Sequence, residues 1–422
     1  MIGHETMRVV DRLLGVPACA SLTLLRRLRG LFGGRVDDSA QALRRVLFVQ
    51  LAESGSMVLA DPAMRALAMR SGAQLYCLTF AHNRASLAIA GTVPDAQVFA
   101  IRTASVFVLL GDVWRFLLWV RRVRIDAIAD LELFSCLTAA LCLLTGVRRR
   151  AGFHRFNGAG LYRGDLYTHP VAFNAQLHMA QNYLMLVEAL LGGASAPAPR
   201  VPAALLVPRV HRRSVGETEL AAVRSRLADC LPCGLAAGER LVLMNANASE
   251  MLPQRRWPLA HFVALVRALL ERFADVRVLL IGALEDGPTT AAIASQLADP
   301  RCVDVAGRFA LGELPALFSL SAAMVSNDSG PAHFAAVTPL PVIVLFGPET
   351  PVLFRPLGAA TVLSAGLACS PCVNAGNLRR TRCTDNQCMQ RIAVDEVLAA
   401  LCRVLEAPVA TGGCVRRERA EA

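Results

Sequence analysis

The chain has 422 residues, which is long enough for two domains that each bury a core of their own. Hydrophobic residues make up 54% and charged residues 18%, a composition that excludes a disordered chain. All 44 basic residues are arginine, and the formal net charge of +11 favours anionic partners such as phosphates, nucleic acid or acidic lipid.

Residues 1–43 form a basic, apolar extension ahead of the first domain. Its apolar stretch is broken at Pro17 and closed by Arg26 and Arg27, so it lacks the continuous apolar region of a signal peptide. Two alternatives are left open: a helix docked on the domain, or an amphipathic basic helix that lies on an anionic membrane surface.

No apolar run reaches the roughly 18–20 residues needed to span a bilayer. The thirteen cysteines are odd in number and spread through apolar segments, which suits a reducing compartment. These features predict a cytoplasmic protein, with peripheral contact at the cytoplasmic face of the inner membrane left open.

Residues 44–193 alternate short β-type runs with segments of helical apolar spacing. Strands are predicted over 46–50, 73–80, 96–101 and 126–131. This βαβα pattern predicts a parallel sheet with helices on both faces, and therefore a first Rossmann-like domain.

A stretch rich in alanine, proline and glycine follows at 194–208 and is a linker by composition. The alternation then restarts and predicts a second domain over 209–407, ahead of a C-terminal tail at 408–422. Its strands are predicted over 240–247, 276–282, 302–307, 322–328 and 341–347. The expected fold class is α/β, with two doubly wound, Rossmann-like domains that face each other across a ligand-binding cleft.

The most informative motif is V-S-N-D-S-G-P-A-H-F-A-A at 325–336. A predicted strand ends at Asp328, and Ser329, Gly330 and Pro331 open a helix whose free N–H groups favour an anion such as phosphate. The Asp328 carboxylate can also accept hydrogen bonds from hydroxyl groups of a ligand. The alternative is an ordinary helix N-cap, for which Asp and Ser are common.

A second motif, N-A-N-A-S-E-M-L-P-Q-R-R-W-P at 245–258, again predicts a strand, a polar loop and a helix. Arg255 and Arg256 stand where a cation facing the cleft would neutralise a phosphate, although two solvated arginines are an equal alternative. Glu285 and Asp286 follow the next predicted strand. Their carboxylates suit ribose hydroxyls or, equally, the N-cap of the next helix.

These motifs occur in order with I-G-A-L-E-D, V-D-V-A-G and P-V-I-V-L-F-G-P-E-T-P. The series closely resembles the C-terminal domain of glycosyltransferase family 9, the ADP-heptose:lipopolysaccharide heptosyltransferases. The resemblance runs from about 45 to 401 and is strongest over 245–347. It implies a GT-B fold and a metal-independent, inverting transfer of heptose from ADP-heptose to a lipopolysaccharide-core or related envelope glycolipid. No cofactor beyond the nucleotide sugar is implied.

The resemblance also implies which residues bind the donor. These positions are Arg255, Glu285, Asp286, Asp328, Ser329, Gly330 and His333. Arg255 takes the place of a family lysine that contacts the phosphates, and Asp328 opens the turn that binds the sugar and the diphosphate. The acid that holds the adenosine ribose matches Glu285 or Asp286, with the register between them left open.

The first strand-to-helix turn, L-A-E-S-G-S-M-V-L-A-D-P at 51–62, departs from the family pattern. The family carries a Gly-Asp pair there, and its aspartate is the expected catalytic base; here Gly55 matches the glycine and Ser56 the aspartate. Serine without a partner cannot act as a base at neutral pH, whereas Glu53 can reach the same space. We hypothesise that Glu53 is the catalytic base, with Asp61 a weaker candidate.

The resemblance assigns the acceptor to the N-terminal domain, where residues 146–156 are basic and aromatic. The candidate acceptor-binding residues are Arg148, Arg149, Arg150, His154, Arg155 and Arg163. A solvated edge of the domain is the alternative. Similar stretches occur in single-strand nucleic-acid binders, but the sequence holds no recognisable nucleic-acid module, so no nucleic-acid partner is expected.

Four cysteines, Cys369, Cys372, Cys383 and Cys388, have the spacing C-x2-C-x10-C-x4-C, which can hold a structural zinc ion. Ordinary loop cysteines are the alternative that we favour, so no metal site is predicted.

Two further functions are compatible with these motifs. One is a nucleotide-sugar epimerase of the same two-domain fold. The other is a catalytically inactive, glycosyltransferase-like scaffold, which the missing aspartate of the first turn would favour.

Overall fold

The computed structural model describes residues 4–30, 42–51, 54–154, 162–192, 199–231, 234, 236, 238–374, 376–377 and 379–407. These residues form two six-stranded sheets with helices packed on them. Every pair of neighbouring strands is parallel. The predicted α/β class with two doubly wound domains is therefore confirmed.

The strands of the first sheet are β1 (Arg45–Val49), β2 (Gln74–Phe80), β3 (Val98–Ile101), β4 (Ala127–Asp130), β5 (Arg149–His154) and β6 (His169–Ala172). The helices of this half are α1 (His4–Val10), α2 (Val16–Gly30), α3 (Ser54–Ser71), α4 (Arg84–Ala90), α5 (Val106–Val123), α6 (Cys136–Leu144) and α7 (Met179–Gly192). The strand order is β3-β2-β1-β4-β5-β6.

The strands of the second sheet are β7 (Arg240–Asn245), β8 (Val276–Leu280), β9 (Cys302–Asp304), β10 (Ala323–Asn327), β11 (Val342–Phe346) and β12 (Ala360–Ser364). Its helices are α8 (Glu217–Cys230), α9 (Leu259–Arg272), α10 (Gly287–Leu297), α11 (Leu314–Ser319), α12 (Gly330–Phe334), α13 (Pro351–Phe354), α14 (Gln387–Gln390) and α15 (Val394–Glu406). The order β12-β11-β10-β7-β8-β9 repeats that of the first sheet.

The central strands are buried on both faces, which explains their nearly continuous apolar sequence. In β7, Leu241 and Leu243 pack into one apolar cluster, whereas Val242 and Met244 pack into another on the opposite face. Strand β5 was not predicted from the sequence because it begins with two arginines, although five of its six residues are buried.

The N-terminal helices are docked on the first domain, as one of the two alternatives predicted. A π-helical turn, Asp11–Gly15, joins α1 to α2. The Asp11 carboxylate accepts hydrogen bonds from the backbone N–H groups of Cys136 at 3.2 Å and Leu137 at 2.7 Å, at the start of α6. The predicted tail 408–422 and residues 193–198 around the linker lie outside the described residues.

The two halves meet where α3 packs against α12. A single apolar cluster continues from Phe48 in β1 to Leu243 in β7 and includes Phe334 of α12. At its edge, Gly55 of α3 lies so close to α12 that an added Cβ would be 2.9 Å from Cδ2 of His333 and 3.7 Å from Cα of Gly330. The first turn of the N-terminal domain and the start of α12 are therefore in contact.

We expect Gly55→Ala to destabilise the fold by about 1–3 kcal/mol, because its methyl group would displace the buried His333 ring. Gly111→Ala in α5 is the matched control, since an added Cβ there has no neighbour within 4 Å. It should be neutral or stabilise by about 0.5–1 kcal/mol through helix propensity. Urea unfolding of both variants measures this difference, and equal effects would contradict the close contact.

Candidate functional site

The candidate site lies where strand order reverses in each sheet. In the first sheet this switch point falls between β1 and β4, and in the second between β7 and β10. Ligands of open α/β sheets bind beyond the carboxyl ends of the strands at such points. The loops after β1, β7 and β10 are the ones that carry the sequence motifs.

Asparagine side chains hold the turn that follows β10. Asn327 accepts a hydrogen bond from the backbone N–H of Trp257 at 3.1 Å and donates one to the carbonyl of Ala246 at 2.8 Å. Asn245 in β7 donates to Oγ of Ser329 at 2.7 Å. These bonds tie the loop after β7 to the turn after β10, so the two motifs form one site.

Arg255 reaches that turn and is only partly satisfied there. Its Nη1 lies 3.5 Å from Oδ2 of the buried Asp328, and its Nη2 donates to Oγ of Ser249 at 3.1 Å. Among the described residues, no hydrogen-bond partner is found for Nε of Arg255, Oδ2 of Asp328 or Nδ2 of Asn247. Buried polar atoms normally have partners, so this cluster has unused capacity for a polar ligand.

Arg256 has a different environment from its neighbour. Its guanidinium donates to the carbonyl of Ala248 at 2.9 Å and pairs with the exposed Glu250. The side chain of Arg256 is 38% exposed, compared with 12% for Arg255. Of the two arginines that the sequence offered, Arg255 is the one that faces Asp328.

The N-cap alternative is not supported by a side-chain bond at either Ser329 or Asp286, since neither side chain caps the helix that follows it. Ser329 makes no side-chain cap of α12, and Gly330 and His333 follow it in that helix. Asp286 accepts a hydrogen bond from the backbone N–H of Ala283 at 2.8 Å, and burial raises the pKa of this carboxyl. Glu285 is exposed beside it.

The structure describes only part of the first strand-to-helix turn, which follows β1. Glu53 lies outside the described residues, whereas Gly55 contacts His333 and Ser56 is buried. Asp61 is fully buried: it pairs with Arg65, accepts a hydrogen bond from Thr92 and another from the backbone N–H of His211 at 3.1 Å. Its carboxylate is buried and bonded to other parts of the protein, which does not support a role as the catalytic base.

Glu132 is a carboxylate at this turn that the sequence reasoning missed. It follows β4, and its Oε1 accepts hydrogen bonds from the backbone N–H of Leu51 at 2.5 Å and from Nε2 of Gln50 at 3.2 Å. Residues 51 and 132 are distant in the chain, and only the pairing of β1 with β4 brings them together. The signal for this residue in the sequence was an acidic side chain shortly after the fourth predicted strand.

The structure does not support acceptor contacts by Arg150 and Arg163, because their donors are used internally. Arg163 is 1% exposed, pairs with Asp130 and donates to the carbonyl of Ser135 at 2.9 Å. Arg150 donates to the carbonyl of Leu166 at 3.0 Å, and burial lowers its pKa to about 10.

The other acceptor candidates are spread over different environments. Arg149 is buried in β5, His154 ends that strand half-buried, and Arg148 is exposed before it. Arg155 lies outside the described residues. The described members of this set therefore do not share one exposed surface.

For the four C-terminal cysteines, the zinc alternative and the loop-cysteine alternative both stay predictions. Within the described part of the chain, no group of three or more His, Cys, Asp or Glu side chains converges as metal ligands would. Cys388 is buried, and burial together with the nearby thiols of Cys372, Cys383 and Cys369 raises its pKa to about 11.

Known proteins share this fold over nearly their whole length. The structure of Escherichia coli ADP-heptose lipopolysaccharide heptosyltransferase II has a TM-score of 0.67 at 21% identity, covering 86% of this chain and 98% of that one. The glycosyltransferase family 9 structure from Veillonella parvula also has a TM-score of 0.67, at 17% identity, covering 88% and 100%. The predicted GT-B fold is confirmed by these similarities.

Sequence matches to curated proteins are shorter. Lipooligosaccharide heptosyltransferase 2 of Haemophilus influenzae is 34% identical over 130 residues, which are 30% of this chain and 37% of that protein. Lipopolysaccharide heptosyltransferase 2 of Escherichia coli is 30% identical over 124 residues, or 29% and 35%. The matched segments thus span little more than a third of these relatives. The model of glycosyltransferase family 9 (heptosyltransferase) matches residues 113–381, more than half of the chain, and the protein therefore belongs to this family.

Proposed function

We propose that the protein is an inverting glycosyltransferase that moves a sugar from a nucleotide-sugar donor, expected to be ADP-heptose, to a lipopolysaccharide-core or related envelope glycolipid. The observation that carries this proposal is the incompletely satisfied pair of Arg255 and Asp328 at the second switch point, beside the first turn of the other domain. Similarity to proteins named as heptosyltransferases supports the choice of sugar.

The proposed donor contacts follow from this cluster. Arg255 would bind the diphosphate, Asp328 would accept hydrogen bonds from sugar hydroxyls, and Ser329, Gly330 and His333 would complete the wall of the site. Glu285 is the better candidate for the ribose hydroxyls than Asp286, because Asp286 already caps the loop with one oxygen.

The proposed reaction is a single displacement. A base removes the proton of an acceptor hydroxyl, whose oxygen bonds to the anomeric carbon while the carbon–oxygen bond to the diphosphate breaks. The nucleoside diphosphate leaves with the bonding electrons. Arg255 would stabilise the negative charge that develops on this leaving group, since a fixed cation in a largely buried site needs no reorganisation. We propose that no metal or further cofactor takes part.

We expect Arg255→Gln to weaken ADP binding by about 10–100-fold, because a charge-assisted contact to the diphosphate is lost. Arg256→Gln is the matched control: it removes the same charge from the adjacent residue, whose guanidinium is used by Ala248 and Glu250. Its ADP affinity should change little. Calorimetric titration of both variants measures the difference, and equal losses would mean that only net charge matters.

The catalytic base is proposed to be Glu53, which keeps a carboxylate in the first turn where Ser56 replaces the family aspartate. Glu53→Gln should reduce transfer by about 100-fold or more while leaving donor affinity unchanged, since general-base catalysis contributes on that scale. Release of nucleoside diphosphate in the presence of a lipid-linked acceptor measures the rate.

Glu132→Gln is the control for this experiment. The amide oxygen can still accept the hydrogen bond from Leu51, so the turn should keep its position and transfer should persist. Loss of transfer in Glu132→Gln with normal turnover in Glu53→Gln would instead identify Glu132 as the base.

Experiments on the unmodified protein distinguish the remaining functional alternatives. The epimerase alternative is disfavoured, because the family to which the chain belongs is one of glycosyltransferases. Donor binding without any transfer, tested over a panel of nucleotide sugars and lipid-linked acceptors, would favour the inactive scaffold. A cytoplasmic location remains part of the proposal, as does the absence of a nucleic-acid partner.

A further inference from the structure

Helix α5 presents an apolar stripe to the solvent. Phe107, Leu110, Trp114 and Leu118 are spaced so that they share one face of the helix, and Phe107 and Trp114 are 87% and 62% exposed. The opposite face carries Phe116, which is buried against the first sheet. The helix is thus apolar both toward the core and toward the solvent.

The other helices on this side of the sheet add to the stripe. Met7 of α1 packs in the same apolar cluster as Phe116, and Cys19 of α2 packs with Cys136 of α6, so these helices form one layer. The exposed apolar side chains of this layer outside α5 are Val9, Val10, Leu13, Leu14, Leu24, Leu25, Leu28, Leu137 and Leu144.

We call the exposed apolar side chains of α1, α2, the turn between them, α5 and α6 the apolar face. With Val106 at the start of α5, it contains fourteen of the twenty large hydrophobic side chains that are exposed in the described part of the chain. A concentration of this kind on one side of a protein marks an interaction surface rather than the ordinary scatter of surface leucines.

The exposed charges of α5 are positive. Arg115, Arg121 and Arg122 are exposed on α5. Asp112, the one acidic residue of α5, is buried and bonded to Arg102, and this hydrogen bond holds its pKa at about 2. The surface therefore combines exposed aromatic and aliphatic groups with cations, which is typical of helices that lie in a membrane interface.

No helix among the described residues is long and apolar enough to cross a membrane. In α5, Asp112 and three arginines interrupt the apolar sequence. Of its exposed arginines, Arg115 and Arg122 flank the stripe and Arg121 lies at its C-terminal end. There they can reach lipid headgroups while the apolar side chains enter the acyl boundary.

We propose that the apolar face docks on an anionic lipid bilayer, with α5 lying in the plane of the headgroups. The sequence placed such a contact in the N-terminal extension, residues 1–43, alone, whereas the proposal adds α5 and α6 to it. The docking goes beyond the proposed transfer reaction and does not depend on it, because it involves no residue of the donor site or the first turn.

Co-sedimentation of the full chain with vesicles tests the proposal. The protein should bind vesicles of phosphatidylglycerol and phosphatidylethanolamine much more tightly than vesicles of phosphatidylcholine, and added salt should weaken the binding. Phe107→Gln with Trp114→Gln should lower the affinity for anionic vesicles by at least about tenfold. Arg121→Gln with Arg122→Gln should lower it by about fivefold per arginine at low salt.

The matched control is Met69→Gln with Leu284→Gln, which removes two exposed apolar side chains outside the apolar face. Its vesicle affinity should equal that of the unmodified chain. Brominated lipid should quench the fluorescence of Trp114, and Trp114→Phe should lose most of that quenching while still binding, because Trp257 is buried and Trp119 lies partly buried against the sheet.

Three results would overturn the proposal. One is failure of the unmodified chain to bind anionic vesicles, and another is unchanged affinity in the Phe107 and Trp114 double variant. The third is a lipid-free dimer, seen by sedimentation velocity, that dissociates in this double variant, since the apolar face would then be covered by a second copy of the chain. None of these results alters ADP binding, so failure of the membrane contact and failure of the proposed function remain distinguishable.

Discussion

The close approach of Gly55 to His333 is the constraint on which the geometry of the site depends. A helix start from each domain meets there with no room for a Cβ atom on the glycine. Both helices pack into the apolar cluster that the two sheets share. As a result, the turn that follows β1 lies beside the turn that follows β10. The first turn and the residues around Asp328 therefore belong to one site.

The polar part of the site is fixed before any ligand arrives. Asn245 and Asn327 tie neighbouring strands and loops together with hydrogen bonds of 2.7–3.1 Å. Within this frame Arg255 and Asp328 lie close but keep unused hydrogen-bonding capacity. Unsatisfied buried polar atoms cost free energy in the unliganded protein, and a ligand that pairs with them recovers it. Preorganisation of this kind favours a polar ligand.

Arginine serves three different purposes in this chain, which contains no lysine. Arg163 is enclosed and neutralised by Asp130, so it supports the end of β4. Arg255 is left partly unpaired and can bind an anion. Arg121 and Arg122 stand at the border of the apolar face, where a membrane surface would attract them. Burial and partners, and not the arginine itself, separate these three roles.

Sequence alone determined the βαβ alternation, the two domains' fold class and the order of the motifs that follow β7 and β10, because strand burial and turn chemistry leave local patterns. It could not recognise Arg150 and Arg163 as internal, or find Glu132 beside Leu51. Those assignments depend on which strands pair and which side chains lose water, and both are properties of contacts between residues distant in the chain. Only the tertiary structure decided them. The sequence of a charged residue is the same whether its side chain is solvated, paired inside the protein or free to bind a ligand.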